Sequence, residues 1–116
     1  MPYGDDVPDH WQAADIAVAL GFVNAFHLAI DGGAHRGAVT AQLVSRFDRV
    51  VAIEPGPLAD RIVGADVVRA ALGDRPGRCA MADGPENSGQ RHIVEGDGVD
   101  IVTLDSLSLS PDFIKL

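Results

Sequence analysis

Apolar residues along the chain first follow a helical spacing, in two segments that we predict to be helices. In DHWQAADIAVAL, residues 9–20, apolar positions recur at helical intervals, Asp9 can cap the first turn, and Gly21 ends the pattern. In AVTAQLVSRF, residues 38–47, the apolar positions also share one helical face. The residues on the two faces are Ala13, Ile16, Ala17 and Leu20 in the first segment and Val39, Leu43 and Phe47 in the second.

Between and after these segments, short continuous apolar runs predict buried strands. The runs are HLAID (27–31), RVVAIEP (49–55) and DVVRAALG (66–73), with a short helix predicted at 57–65. Strands that alternate with helices at this spacing predict an α/β fold with a parallel sheet. In such a sheet, ligands bind beyond the carboxyl ends of the strands.

The second half of the chain has weaker patterns. Turn residues at 74–77 predict that the run RCAMA (78–82) returns as a hairpin partner of the third strand, and residues 83–90 are predicted to form a loop. The first eight residues, with two prolines and two aspartates, are predicted to be a flexible tail ahead of one domain at 9–116. Further short strands are predicted at RHIVEG, VDIVTLDSL and DFIKL.

Charge and cysteine content exclude several classes of protein. The net charge is −8, and the basic residues are scattered, so the basic patch of a nucleic-acid or anionic-membrane site is missing. Cys79 is the only cysteine, which excludes an intrachain disulfide and is typical of a reducing compartment. The acidic N-terminus argues against a signal peptide, and the apolar stretch at 16–30 is too short to span a bilayer. We therefore expect a cytoplasmic protein.

Candidate chemistry is concentrated where the first strand ends, in AIDGGAHRGAVT. Glycines at this turn let a ligand approach the backbone, and a helix behind the turn would offer unpaired N–H groups. Asp31 adds an anionic acceptor, so the loop suits a zwitterionic small molecule. Glu54 follows about 20 residues later, at the end of the next strand, where an acid is placed to accept hydrogen bonds from two ribose hydroxyls. Asp31 and Glu54 together therefore indicate an adenosine-containing ligand.

Motif details favour a methionine-containing nucleoside over a dinucleotide. The loop D-G-G-A-H-R-G lacks the G-x-G-x-x-G pattern, and the only G-x-G in the chain, at 96–98, opens no helix. An acid directly before the glycines would repel a pyrophosphate, whereas it would attract the ammonium group of a methionine moiety. No acid, histidine or cysteine cluster has metal-ligand spacing, so no metal is expected.

These motifs resemble those of FkbM-type S-adenosylmethionine-dependent methyltransferases over roughly residues 27–116. AIDGGAHRGAVT, VVAIEPGP, RAALGD, NSG, VTLDSL and DFIKL occur in the same order, and the later ones are the more specific. The resemblance implies a Rossmann-like methyltransferase sheet, parallel and flanked by helices, with an added β-hairpin region. It also implies S-adenosylmethionine as cofactor and O-methylation of a sugar or another small-molecule hydroxyl. The implied cofactor-binding residues are Asp31, Gly32, Gly33, Ala34, Gly37, Glu54, Pro55, Ala71 and Leu72.

The resemblance covers only the cofactor-binding part of the family. In the family, the strand that matches DFIKL continues into an Asp-x-Glu-Gly motif, whereas this sequence ends at Leu116, before that motif. A catalytically inactive nucleotide-binding or assembly module is therefore an alternative, and an NAD(P)-binding oxidoreductase domain is a distant third. We also expect the 111–116 strand to form an open sheet edge, with Phe113, Ile114 and Leu116 on or near it, that pairs with a second copy or a partner chain. Asp112 and Lys115 would be its charged deterrents.

Overall fold

The computed structural model describes residues 9–83 and 91–116. The predicted tail at 1–8 and nearly all of the predicted loop at 83–90, including the NSG motif, lie outside the described residues. The described elements are α1 (Asp9–Leu20), β1 (Leu28–Gly32), α2 (Ala38–Val44), β2 (Arg49–Ile53), a 3-10 helix (Pro57–Arg61), β3 (Asp66–Val68), β4 (Ala71–Leu72), β5 (Gly77–Asp83), β6 (Arg91–Val102), a 3-10 helix (Asp105–Leu107) and β7 (Phe113–Lys115).

Four parallel strands form the main sheet, in the order β3-β2-β1-β7. The two central strands are buried on both faces, which is why they have continuous apolar sequences rather than alternating ones. The prediction of an α/β fold built on a parallel sheet is confirmed. β1 and β2 pair in register from Leu28 with Arg49 to Gly32 with Ile53, so their carboxyl ends lie side by side.

Helices α1 and α2 cover one face of this sheet. Both helix predictions are confirmed, although α2 ends three residues earlier than the pattern suggested, and Ala17 in α1 is exposed. On the other face, Ile30, Val51 and Ile53 pack against leucines of the segments that follow β3 and β6. The buried residues of the helix face are Leu20, Ala29, Val39, Leu43, Phe47 and Val50.

The predicted third strand is wrong in its extent, because residues 66–73 divide between two sheets. β3 extends the parallel sheet beside β2, whereas β4 joins a second sheet with the order β4-β6-β5. The hairpin partner of β5 is therefore β6, not the third strand. RHIVEG and the first four residues of VDIVTLDSL, predicted as separate strands, belong to the single strand β6, whose register with β5 shifts between Cys79 and Ala80. The rest of VDIVTLDSL is not strand, and Asp105–Leu107 form a 3-10 helix. The predicted added hairpin region is confirmed.

Strand β7 pairs in parallel with β1, and it is the last strand of the sheet among the described residues. Only part of the expected apolar edge is present, because Phe113 packs into the helix-side core beside Phe47, whereas Ile114 and Leu116 are 42% and 78% exposed. Asp112 is not a free deterrent at the edge. Its Oδ2 accepts hydrogen bonds from the backbone N–H groups of His27 and Leu28, at 2.9 and 3.0 Å, and so fixes where β7 meets β1.

Candidate functional site

The glycine loop leaves β1 and folds back over the end of β2. The N–H groups of Gly33 and Ala34 both donate to the carbonyl oxygen of Ile53, at 2.9 and 3.1 Å. Gly33, His35 and Gly37 all have positive φ angles, of 66°, 53° and 92°. Glycine adopts such angles without strain, which explains why the sequence has glycine at positions 33 and 37.

The three glycines of the loop have different surroundings. A Cβ at Gly32 would lie 2.8 Å from Cδ1 of Leu72 and 3.2 Å from the carbonyl oxygen of Lys115, and a Cβ at Gly37 would lie 3.3 Å from Ile62. Gly32 is therefore restricted by close packing, whereas Gly37 is restricted mainly by its positive φ and also lies close to Ile62. A Cβ at Gly33 would meet nothing within 4 Å, and Gly33 is the exposed member of the three. Gly33 is the position where the loop backbone faces open space.

Asp31 is completely buried at the end of β1, on the side that faces α2. Its Oδ2 accepts a hydrogen bond of 2.6 Å from the hydroxyl of Thr40. Its Oδ1 lies 3.0 Å from Nζ of Lys115 but accepts no hydrogen bond from any residue in the described part of the chain. The contact with Lys115 is therefore an ion pair without directed hydrogen-bond geometry, and it offsets the burial of the charge.

Lys115 was expected to be a charged deterrent at the edge of β7, but its ammonium group contacts the end of β1 instead. Its ammonium group donates to the carbonyl oxygens of Gly32 and Gly33, at 3.0 and 3.1 Å, and its side chain is only 20% exposed. The signal that could have revealed this contact is the pairing of β7 with β1. In that register Lys115 is the partner of Asp31, so both side chains lie on the same face of the sheet.

Glu54 joins the glycine loop to the loop that follows β2. Only 6% of Glu54 is exposed, its Oε1 accepts from the N–H of His35, and its Oε2 accepts from the N–H of Gly56, both at 2.8 Å. A carboxylate has about four acceptor positions, so roughly two remain for a ligand. Glu54 stands at the expected strand end, and it also has a structural role that the sequence did not reveal.

The other candidate residues lie around this centre. Ala34 is buried, Pro55 is half-buried between Glu54 and Gly56, and Leu72 packs beneath β1 with Ile30 and Ile53. Ala71 is buried in β4 and pairs with Ile101 of β6. Within the loop itself, the N–H groups of Gly33, Ala34, His35 and Gly37 all donate to acceptors of the chain, so the loop does not offer them to a ligand.

The order of the parallel strands determines which edge is open to a ligand. The chain runs outward from β1 through β2 to β3 and then returns to the other side of β1 as β7, so the order reverses between β1 and β7. In open parallel sheets, ligands bind at the carboxyl ends of the strands where this reversal occurs. Gly32, Gly33 and Lys115 lie at this point, with Glu54 at the end of the neighbouring β2.

Across residues 9–83 and 91–116, no helix is long and apolar enough to span a membrane. The same residues contain no group of three or more histidine, cysteine, aspartate or glutamate side chains placed to hold a metal ion. Comparison of the chain with models of protein families, with curated proteins and with solved structures gave no match.

Proposed function

We propose that this chain is the cofactor-binding part of a Rossmann-like, S-adenosylmethionine-dependent methyltransferase. The observation that carries the proposal is the open space over Gly33, at the carboxyl end of β1 where the strand order reverses. A second observation supports it, because Glu54 ends the neighbouring strand and keeps acceptor capacity on its carboxylate. Together these features provide a surface that a nucleoside with an amino-acid end can lie along.

Four of the candidate residues would contact the cofactor in the proposed complex. The backbone of Gly33 would hold the methionine end, Glu54 would accept hydrogen bonds from the ribose hydroxyls, and Ala71 and Leu72 would contact the adenine. When bound, S-adenosylmethionine would supply an electrophilic methyl group for transfer to a small-molecule hydroxyl, with S-adenosylhomocysteine as the leaving group and the hydroxyl proton lost to solvent. The main task of the chain is to hold the donor in one orientation, because positioning alone supplies much of the rate enhancement in such transfers.

A nucleotide-binding or assembly module without catalysis is the second candidate, and one observation favours it. The carboxylates of Asp31 and Glu54 both have partners within the chain, Thr40 and Lys115 for Asp31 and two backbone N–H groups for Glu54, which is typical of structural braces. An NAD(P)-binding oxidoreductase domain is the third hypothesis, and the glycine loop lacks the G-x-G that would favour it.

Calorimetry with S-adenosylhomocysteine and with NADH, together with a separate methyl-transfer assay, divides these hypotheses. The methyltransferase proposal predicts binding of S-adenosylhomocysteine, no binding of NADH, and methyl transfer to a hydroxyl acceptor. Binding of S-adenosylhomocysteine without any transfer favours the module. Absence of S-adenosylhomocysteine binding contradicts the proposal.

The ribose contact is tested by combining a protein variant with a ligand variant. Removing the Glu54 charge, in Glu54→Gln, should weaken S-adenosylhomocysteine binding by about tenfold or more, the effect of a lost charge-assisted hydrogen bond. The wild type should also bind the 2′,3′-dideoxy analogue of S-adenosylhomocysteine more weakly, whereas Glu54→Gln should bind the two ligands with similar affinity. Glu95→Gln on the exposed part of β6 is the matched control and should behave like the wild type. A Glu54→Gln protein that discriminates between the ligands as strongly as the wild type does would contradict the ribose contact.

A further inference from the structure

The acceptor groups at the end of β1 are already engaged by a cation of the chain itself. Lys115 has three N–H donors on its ammonium group. Three oxygens lie near this group, namely the carbonyl oxygens of Gly32 and Gly33 and Oδ1 of Asp31, at 3.0, 3.1 and 3.0 Å. The ammonium of a bound amino acid would need acceptors of the same kind, and each of these three oxygens already has the Lys115 ammonium group beside it.

We infer that Lys115 is a positioning residue for the glycine loop and that Asp31 acts on the loop through Lys115, not by touching a ligand. Oδ1 of Asp31 is buried and accepts no hydrogen bond from any described residue, so its role is to attract the ammonium group. The ammonium group in turn holds the two carbonyl oxygens, and so sets the orientation of the peptide groups at Gly32 and Gly33.

This arrangement links the two strands on either side of the reversal in strand order. β7 contributes Lys115, and β1 contributes the carboxylate and the first loop carbonyl. Gly33 has a φ of 66° and its Cβ direction is open, so packing does not restrain its peptide group. Lys115, on β7, restrains this peptide group by donating to the carbonyl oxygen of Gly33.

The inference is tested first without any ligand, by amide hydrogen exchange. In Lys115→Met, the amides of Gly33 and Ala34, which donate to Ile53, should exchange about tenfold faster, as expected for the loss of a charge-assisted contact. The amides of Val51 and Ala52 in β2 should be unchanged, and Lys115→Arg should restore most of the protection, because a guanidinium also donates to carbonyls.

Asp112→Asn is the matched control, since Asp112 lies on the same strand but contacts the other end of β1. It should speed exchange at His27 and Leu28 and leave Gly33 and Ala34 unchanged. A Lys115→Met protein with unchanged protection at Gly33 and Ala34 would overturn the inference, and so would equal acceleration at all amides, which indicates only lower global stability.

A second measurement rests on the proposed function. Because Lys115 acts where the amino-acid end would lie, Lys115→Met should weaken S-adenosylhomocysteine about tenfold and change the affinity for 5′-methylthioadenosine, which lacks that end, less than about twofold. Equal weakening of both ligands would contradict a role at the amino-acid end. If the wild type binds neither ligand, the proposed function fails, and hydrogen exchange alone still decides whether Lys115 positions the loop.

Discussion

The two sheets of this protein are built in different ways. In the parallel sheet, Ala29, Ala52 and the helix residue Leu43 are completely buried, whereas the hairpin strand β6 is exposed at residues 94–98. The candidate site is centred on the carboxyl end of the parallel sheet, and β4 contributes Ala71 and Leu72 from the second sheet. The difference indicates that the loop carrying Gly33 rests on a backbone that packing holds from both faces.

The hairpin depends instead on strand pairing and on surface contacts. Arg78 on β5 forms ion pairs with Asp97 and Asp100 on β6, and more than half of the Arg78 side chain is exposed. Near the register shift, a Cβ at Gly96 would lie 2.7 Å from Cβ of Ala80, so glycine is needed there for strand contact. Surface ion pairs contribute little to stability, and we expect the hairpin to tolerate substitution better than the parallel sheet.

The largest expected difference between the regions concerns apolar truncation. Leu43→Ala should lower the free energy of unfolding by about 2–5 kcal/mol, because Leu43 is fully buried against the sheet and the cavity cannot refill. Val94→Ala in the hairpin, where Val94 is 36% exposed, should lower it by less than about 1 kcal/mol. Urea denaturation of both variants measures this, and equal losses would show that the hairpin is as important to the core as α2.

A smaller effect is expected from the buried polar contact beneath the loop. Thr40→Val keeps the shape of the side chain but leaves Oδ2 of Asp31 without its 2.6 Å hydrogen bond, which should lower the free energy of unfolding by about 1–3 kcal/mol. The matched control is Ser45→Ala, which removes an exposed hydroxyl contact with the carbonyl of Gln42 and should have an effect below about 0.5 kcal/mol. Similar thermal transitions for Thr40→Val and wild type would mean that Asp31 is stabilised by Lys115 alone.

The smallest effect is expected at the hairpin ion pairs. The hydrogen bond from Arg78 holds the pKa of Asp97 below its ordinary value, and the N–H of Gly98 lowers it further. Since the folded-state pKa is the lower one, this contact contributes stability above the ordinary pKa of aspartate and loses it as the pH falls through the folded-state pKa. In Arg78→Met, a carboxyl-carbon NMR titration should show the pKa of Asp97 moving up towards its ordinary value. An unchanged titration would show that Arg78 does not hold this carboxylate in solution.

Much of the parallel sheet could be predicted from the sequence because burial on both faces produces a distinct pattern. Continuous apolar runs marked β1 and β2, and the spacing of Val39, Leu43 and Phe47 marked the helix between them. The hairpin was harder, because β6 is exposed at residues 94–98 and its residues there follow no apolar run. The sequence also could not show that residues 66–73 divide between two sheets after Val68. That division depends on the strand with which each half pairs, which is β2 for β3 and β6 for β4.

For the candidate site, the sequence could indicate where residues lie along the strands, but not which groups they contact. The positions of Asp31, Glu54 and the glycines followed from where strands end, which the local pattern determines. The partners of the two acids did not follow, because Lys115 is far along the chain and reaches Asp31 only through the pairing of β7 with β1. The backbone donors to Glu54 depend on the path of two loops, and no local residue pattern indicates such a path.

The most direct test of a ligand site over Gly33 is the affinity of S-adenosylhomocysteine, measured by calorimetry, for the wild type, Gly33→Ala and Gly98→Ala. Gly33→Ala adds a methyl group where the chain leaves open space, and Gly98→Ala does the same in the hairpin, where φ is 110° and a Cβ also meets nothing within 4 Å. Both variants carry the backbone strain of a positive φ, so thermal unfolding of each provides the control for stability. The proposed function predicts that Gly33→Ala loses about tenfold or more in affinity while Gly98→Ala binds like the wild type. Equal affinity in all three proteins would contradict the proposed site, because the ligand would then not pass over the loop that carries Gly33.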